Sequence, residues 1–316
     1  MPYEGFDPEG YHDGTIKRFI PPNLIGKKDL RCEITRMNQL PLVSVICICH
    51  NHLSFLRESI QSVLNQTYPE IEIIIVDDGS TDGSKEMIKA LVKDKPIHFI
   101  DNPIPLGNCK AFNMGFSASQ GKFIIDLATD DYLDPERILK GINTFLNSDA
   151  GVTFSDVMNI DENGVELGTH FLRDSDHQLI EQVPEGDIYI ELIQRYFISP
   201  PGMMMKREVL EELNGYDESL SYEDFDFWIR SSRNWHYAFT NEVLVTKRKV
   251  SGSLSEQQFK YLSKYQICTL RVCQKIKELN RTKKEDLALR KRCLYEIKQC
   301  LKQGNIHLIP RFLKLF

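Results

Sequence analysis

Residues 127–135 read LATDDYLDP. The apolar run KFIIDLA ends there on two adjacent aspartates, Asp130 and Asp131, which repel one another and are poor strand formers. A divalent cation would offset that repulsion. Mg2+ and Mn2+ are commonly held by one or two carboxylates together with phosphate oxygens. Taken alone, the pair reads equally well as an acidic turn before the helix that Asp134-Pro135 is expected to start. Two other acidic clusters raise the same choice. In IVDDGSTDGS (75–84), Asp77 and Asp78 at a strand end can accept from a base N–H or from ribose hydroxyls, and the Gly-Ser-Thr turn lets a ligand approach the backbone. The plainer alternative is a turn that caps the next helix. In SYEDFDFWIR (221–230), Glu223 or Asp224 can serve as a general base beside an aromatic wall. The plainer alternative is a pair of acids stabilised by a helix N-terminus, with Phe225, Phe227 and Trp228 in the core.

The elements that must position these acids follow from periodicity. VSVICIC, IEIIIV (71–76), IHFI (97–100) and KFIIDLA (122–128) are β-branched, apolar runs of strand length. Amphipathic segments separate them: LSFLRESIQSVLNQ, then 82–93, then 109–119. This alternation predicts parallel strands with crossover helices, whose ligands bind at the carboxyl ends of the strands. HNH, DDGSTDGS and TDD all fall at such ends. After Ala150 the order changes, to a β-hairpin turning at Glu162-Asn163-Gly164, a helix over 187–196, a short strand and helix ending at Asn214-Gly215, and a helix over 222–231. Two or three helices close the chain. Neither a GxGxxG nor a Walker loop is present, which disfavours NAD or ATP binding of the usual kind.

With 316 residues, 41% hydrophobic and 27% charged, the chain has the composition of a soluble globular protein with a substantial core. No apolar run reaches membrane-spanning length and the first residues do not resemble a secretory leader, so a cytoplasmic location is expected. The eight cysteines form no CxxC pair and are expected to be reduced and buried. CICHNH has metal-ligand residue types but no zinc spacing. Charge is divided unevenly. Residues 256–316 hold fifteen Lys and Arg against five Asp and Glu, so a net charge of −6 overall leaves −16 on residues 1–255. The basic segment, ending in IHLIPRFLKLF, suits either an anionic lipid surface or a helical cap or oligomer contact.

Together these clusters resemble the inverting nucleotide-sugar glycosyltransferases of family 2. The resemblance rests on PLVSVICICHN, VDDGSTDGS, the Gly-x-x-x-Ala-x-Asn-x-Gly helix within NPIPLGNCKAFNMGFSASQGKFIIDLATDDYLDPER, and SPPGMMMKREVLEELNGYDESLSYEDFDFWIR, in that order. It implies an α/β fold: a single GT-A domain (Rossmann-like, with a mostly parallel central sheet) and a C-terminal helical extension. The implied parts are an N-terminal arm (1–40), the GT-A domain (41–255, its nucleotide-binding half 41–135 and acceptor half 136–255) and the basic extension (256–316). It also implies transfer from a nucleoside-diphosphate sugar, UDP in the first instance, to a glycan or lipid-linked saccharide, with no nucleic acid partner. His50, Asn51, Asp77, Asp78 and Asp130 would hold the nucleotide, and Asp131 with Asp130 would hold Mn2+ or Mg2+. Asp224 would be the catalytic base, with Glu223 orienting it or an acceptor hydroxyl. The chain departs from the family pattern at Ala128, where an acid is frequent, at Phe112, where an Arg is frequent and Lys110 is the nearest cation, and at Val250, where a His is frequent. A sugar nucleotidyltransferase and a non-catalytic binding protein of the same fold are the competing readings. HNHLSF lacks the Gly and Lys that a triphosphate-gripping loop uses.

Overall fold

The first strand, β1 (Val43–Cys49), is buried along its whole length. An uninterrupted VSVICIC run therefore forms an interior strand covered on both faces. It pairs in parallel with β2 (Ile71–Asp78) on one side and with β4 (Phe123–Ala128) on the other, and β2 pairs in parallel with β3 (Ile97–Asn102). The crossover helices are α1 (Leu53–Leu64), α2 (Ser84–Val92) and α3 (Asn108–Ala118). The computed structural model describes residues 40–250 and 260–316. Residues 1–39 of the expected N-terminal arm and residues 251–259, just after Val250, therefore lie outside the described residues.

Strand order is β3-β2-β1-β4-β8 (Met203–Lys206)-β6 (Val152–Asp161)-β9 (Tyr237–Lys249)-β5 (Tyr132–Leu133), with β7 (Glu166–Thr169) hydrogen-bonded to β6. The chain steps outward from β1 to β2 to β3, then returns to the other side of β1 as β4. That reversal opens a crevice beyond the carboxyl ends of β1 and β4. HNH and TDD stand on its two sides.

After β4 come β5 (Tyr132–Leu133), α4 (Arg137–Leu146), β6 (Val152–Asp161), β7 (Glu166–Thr169), α5 (Tyr189–Gln194), β8 (Met203–Lys206), α6 (Arg207–Leu213) and α7 (Asp224–Ser231). The expected hairpin is present as β6 and β7. The helix expected from Asp134-Pro135 starts at Arg137, because Asp134 Oδ1 accepts from the Glu136 amide at 2.8 Å and holds a turn there first. One long strand was not anticipated. β9 (Tyr237–Lys249) pairs in parallel with β6 and antiparallel with β5. Its mixed polar and apolar pattern has no clean period of two, so its partners, not its residues, make it a strand.

The chain closes with α8 (Lys264–Leu279), α9 (Lys283–Gln303) and α10 (Ile309–Leu313). Ser263 caps α8, and a Thr282–Glu285 capping box starts α9. These helices are anchored on α5 and α7. Lys275 Nζ lies 2.5 Å from Asp217 and 2.6 Å from buried Asp226, and Arg292 stacks 4.0 Å from the Tyr196 ring and 4.7 Å from that of Phe225. Within the closing segment, Leu308 and Phe312 are buried against this helical layer. No helix among the described residues is long and apolar enough to cross a membrane. All seven described cysteines are free and buried.

Candidate active site

The crevice is built loop by loop from the strand ends. At the end of β2, Asp78 is buried and accepts from Asn102 Nδ2 (3.2 Å) and the Leu106 amide (2.8 Å) on Oδ1, and from the Gly107 amide (2.9 Å) on Oδ2. A carboxylate offers about four acceptor positions, so one remains, on Oδ2. Asp77 Oδ2 takes the Ser80 amide at 3.1 Å, while its buried Oδ1 has no hydrogen-bond partner among the described residues. Gly79 follows at φ +70°, and a Cβ there would stand 2.5 Å from the Pro105 nitrogen. Only glycine lets the 104–107 loop close over this turn.

The end of β1 locks the same turn from the other side. Asn51, at φ 59°, accepts from the Thr81 amide at 2.8 Å, and its own amide donates to Ser80 Oγ at 2.9 Å. His50 Nδ1 lies 2.7 Å from the Asp78 carbonyl, which requires the proton on Nδ1. His52, absent from the sequence-derived site, spans the crevice. Its Nδ1 is 3.0 Å from Thr129 Oγ1 and 3.8 Å from Asp130 Oδ1.

At the end of β4 the Asp131 amide donates to the Ala128 carbonyl at 3.0 Å, closing a tight turn that presents both acids. β9 clamps this turn. The Arg248 amide donates to Asp131 Oδ1 at 2.8 Å, and Arg248 Nε donates to the Asp130 carbonyl at 3.3 Å. Burial, and then the charge of Asp130, push the Asp131 carboxyl well above the usual range, while Lys247 and Arg248 oppose that rise.

The third cluster joins the first two through α3. Asn108, next to the glycine that binds Asp78, donates to Glu223 Oε2 at 2.6 Å. Asn113 on the same helix accepts from the Tyr216 amide and donates to the Tyr216 carbonyl, both at 2.9 Å. Gly115 faces β1 so closely that a Cβ would stand 2.5 Å from Ile46. The Gly-x-x-x-Ala-x-Asn-x-Gly spacing is thus a set of contacts tying α3 to both halves. Phe112, in place of a cation, is buried and stacks 4.1 Å from Tyr216, while Lys110 lies exposed beside Asn113 and Glu218 in a surface depression. The cation that faces the acids is instead Lys247, whose charge acts on Asp131, Glu223 and Asp224 alike.

Glu223 and Asp224 are buried side by side, and both carboxyls are raised. Burial, and then the Asp224 charge, raise Glu223 to about 7 against the opposing Asn108 bond. Burial also raises Asp224, but the Phe225 amide, Lys247 and Arg292 hold its charge. The two buried carboxyls are coupled, so the site resists holding both charges at once. Asp126, a buried-strand acid that sequence reasoning did not select, is raised by burial and by Glu223, and it accepts from the Tyr216 hydroxyl at 3.1 Å.

Asp131 suits a divalent cation shared with a phosphate, since its Oδ1 is fixed by backbone and Asp130 stands beside it. No group of three or more His, Cys, Asp or Glu side chains arranged to hold a metal occurs among the described residues. The donor set therefore fits a shared site and not a cage made by protein alone.

A parallel sheet with acids at its switch point, facing a second acidic pair on a helix start, defines a glycosyltransferase of GT-A fold. The glycosyl transferase family 2 profile matches residues 44–213, and the chain belongs to that family. An uncharacterized glycosyltransferase of Methanocaldococcus jannaschii is 36% identical over 219 residues, covering 66% of this chain and 71% of that protein. Residues 1–349 of S. aureus TarS in complex with UDP-GlcNAc share the fold at TM-score 0.65 and 16% identity, over 87% of this chain and 79% of the other. The mannosyltransferase PcManGT from Pyrobaculum calidifontis, in complex with GDP-Man and Mn2+, does so at 0.58 and 14%, over 88% and 74%.

Proposed function

We propose that this glycosyltransferase moves a sugar from a UDP-class nucleoside-diphosphate donor to a saccharide hydroxyl with inversion, using Asp224 as general base. The supporting observation is that two carboxylate pairs, Asp130–Asp131 on the β4 turn and Glu223–Asp224 at the start of α7, both feel the positive charge of Lys247. In this reading the first pair would meet the diphosphate at the switch point and the second would meet the acceptor. That TarS binds UDP-GlcNAc agrees with the donor class.

In this reading the crevice walls at His50 and Asn51 take the base, with the open position on Asp78 Oδ2 for its N–H groups, while buried Asp77 supports the turn through the Ser80 amide. Asp130 and Asp131 would hold Mn2+ or Mg2+, which when bound neutralises charge on the leaving diphosphate. Lys247 adds a positive group on the same side. The acceptor O–H approaches the anomeric carbon opposite the diphosphate. Asp224 takes the proton as the new C–O bond forms. The anomeric C–O bond to phosphate breaks, and its electron pair leaves on the nucleoside diphosphate. Glu223 orients the acceptor hydroxyl or the Asp224 carboxylate.

A donor screen reading nucleoside diphosphate release, with and without Mn2+, tests this for wild type and Asp224→Asn. Loss of a general base costs on the order of 10²–10⁴ in kcat, with donor KM little changed. Full activity in the variant would refute the base assignment.

A further inference from the structure

The basic surplus of the C-terminal helices is used twice. Arg292 and Lys275 face inward and are committed to Tyr196, Phe225, Asp217 and Asp226. The outward face of α9 carries a different pattern. Leu287, Leu294 and Leu301 are 55%, 51% and 61% exposed, and they recur every seventh residue of a 21-residue helix. At about 100° per residue, each lies within about 20° of the next and all three within about 40°, opposite the buried Ala288, Leu289, Arg292 and Glu296. Lys283, Arg290, Lys291 and Lys298 lie within about 60° of that line on both sides. The acids avoid it. Glu285 and Glu296 are buried, and Asp286 lies at the margin, 3.7 Å from Lys277. Phe316 packs against Arg290 at 5.3 Å and extends the apolar surface.

We propose that this face of α9 docks on an anionic phospholipid surface, the leucines entering the headgroup boundary and the flanking lysines pairing with lipid phosphates. A leucine line bordered by cations on both sides is the pattern of a helix lying in a membrane interface. A second copy of the chain is the poorer occupant. It would bring the same cations against this face with no acid to meet them. The docking is independent of the catalytic reading, because the residues that reach α7 are on the opposite side of the helix.

Flotation of the full chain with phosphatidylcholine vesicles, with and without phosphatidylglycerol, tests this. Binding is expected only with phosphatidylglycerol, and it should weaken as salt is raised. Each lysine near an anionic surface contributes about fivefold to partitioning, so Lys291→Glu with Lys298→Glu should lower it on the order of twentyfold or more. Replacing Leu287, Leu294 and Leu301 with Gln should abolish binding while leaving nucleoside diphosphate release with a soluble acceptor unchanged. These positions are exposed, and circular dichroism is the check that the variants fold. Vesicle binding that is equal for wild type and variants, or absent for wild type, would overturn the proposal. So would a dimer in sedimentation velocity that the leucine substitutions dissociate while vesicles are ignored.

Discussion

The backbone amide of Arg248 donates to Asp131 Oδ1 at 2.8 Å, joining residues 117 positions apart in the chain. The same residue's guanidinium reaches the Asp130 carbonyl at 3.3 Å and stacks 4.5 Å from the Phe55 ring. One residue of β9 therefore sets the geometry of the acid turn, by main chain and side chain together. Its ion pair with half-exposed Glu58 adds little.

Arg248→Ala should accordingly lower stability on the order of 2 kcal/mol, since it strips a bond from a carbonyl and a cation from a ring. Arg248→Lys should recover only part of that, because an ammonium lacks the planar fork. Urea midpoints at unchanged m-value measure both. A loss under about 0.5 kcal/mol, the scale of an ordinary surface substitution, would show that β9 holds the turn without the side chain.

Asp131→Asn isolates the cation reading. Adding Mn2+ with UDP should raise the wild-type melting temperature, by about 2.7 kcal/mol of stabilisation at a hundredfold excess over Kd. The variant should show no Mn2+-dependent rise. Without metal it should melt at or above wild type, because burial and Asp130 already penalise the charged carboxylate at this position. An equal Mn2+ response in the two proteins would remove Asp131 from the metal site.

Glu223 gives a pH signature. Its folded value of about 7 exceeds the ordinary 4.5, so across that window the folded protein holds a proton that the unfolded chain has lost. Stability from this group is complete below about 4.5 and is lost as pH rises through about 7. Glu223→Gln has no proton to lose. Its melting temperature should exceed wild type at about pH 8, with the gap closing near pH 5. A gap independent of pH would mean that the Glu223 carboxyl is not held in its neutral form.

Lys275→Met tests whether the C-terminal helices support the acid-bearing helix. Asp226 is 1% exposed and is held by both Lys275 and Arg230, so removing one cation should cost about 1–3 kcal/mol. In a double-mutant cycle with Asp226→Asn, a coupling above about 1 kcal/mol is expected. Additive effects would show that α8 and α7 are energetically separate.

How much of this was legible beforehand depends on the range of the interactions. The four β-strands and three helices from Val43 to Ala128 were readable because a buried parallel strand needs an apolar run and a crossover helix needs an apolar stripe, both local patterns. The acids at strand ends were readable because a carboxylate pair breaks such a run abruptly. β9 was not, since its residues carry no clear alternation and its partners lie far off in the chain. His52 was marked only as part of the HNH turn, and Asp126 and Lys247 were missed for the same reason. No local pattern assigns them a role, which comes from Thr129, Tyr216 and the acid pairs folding near them.

Sequence alone determined the α/β alternation, the crevice-side acids and the family resemblance, because each is written in residue type and short spacing. Tertiary structure decided which cation acts on both acid pairs, that Glu223 and Asp224 are buried together, and how the basic surplus divides between an inward clamp and an outward leucine line. Those outcomes depend on burial and on charges brought together across a hundred or more residues, and chain order carries no record of either.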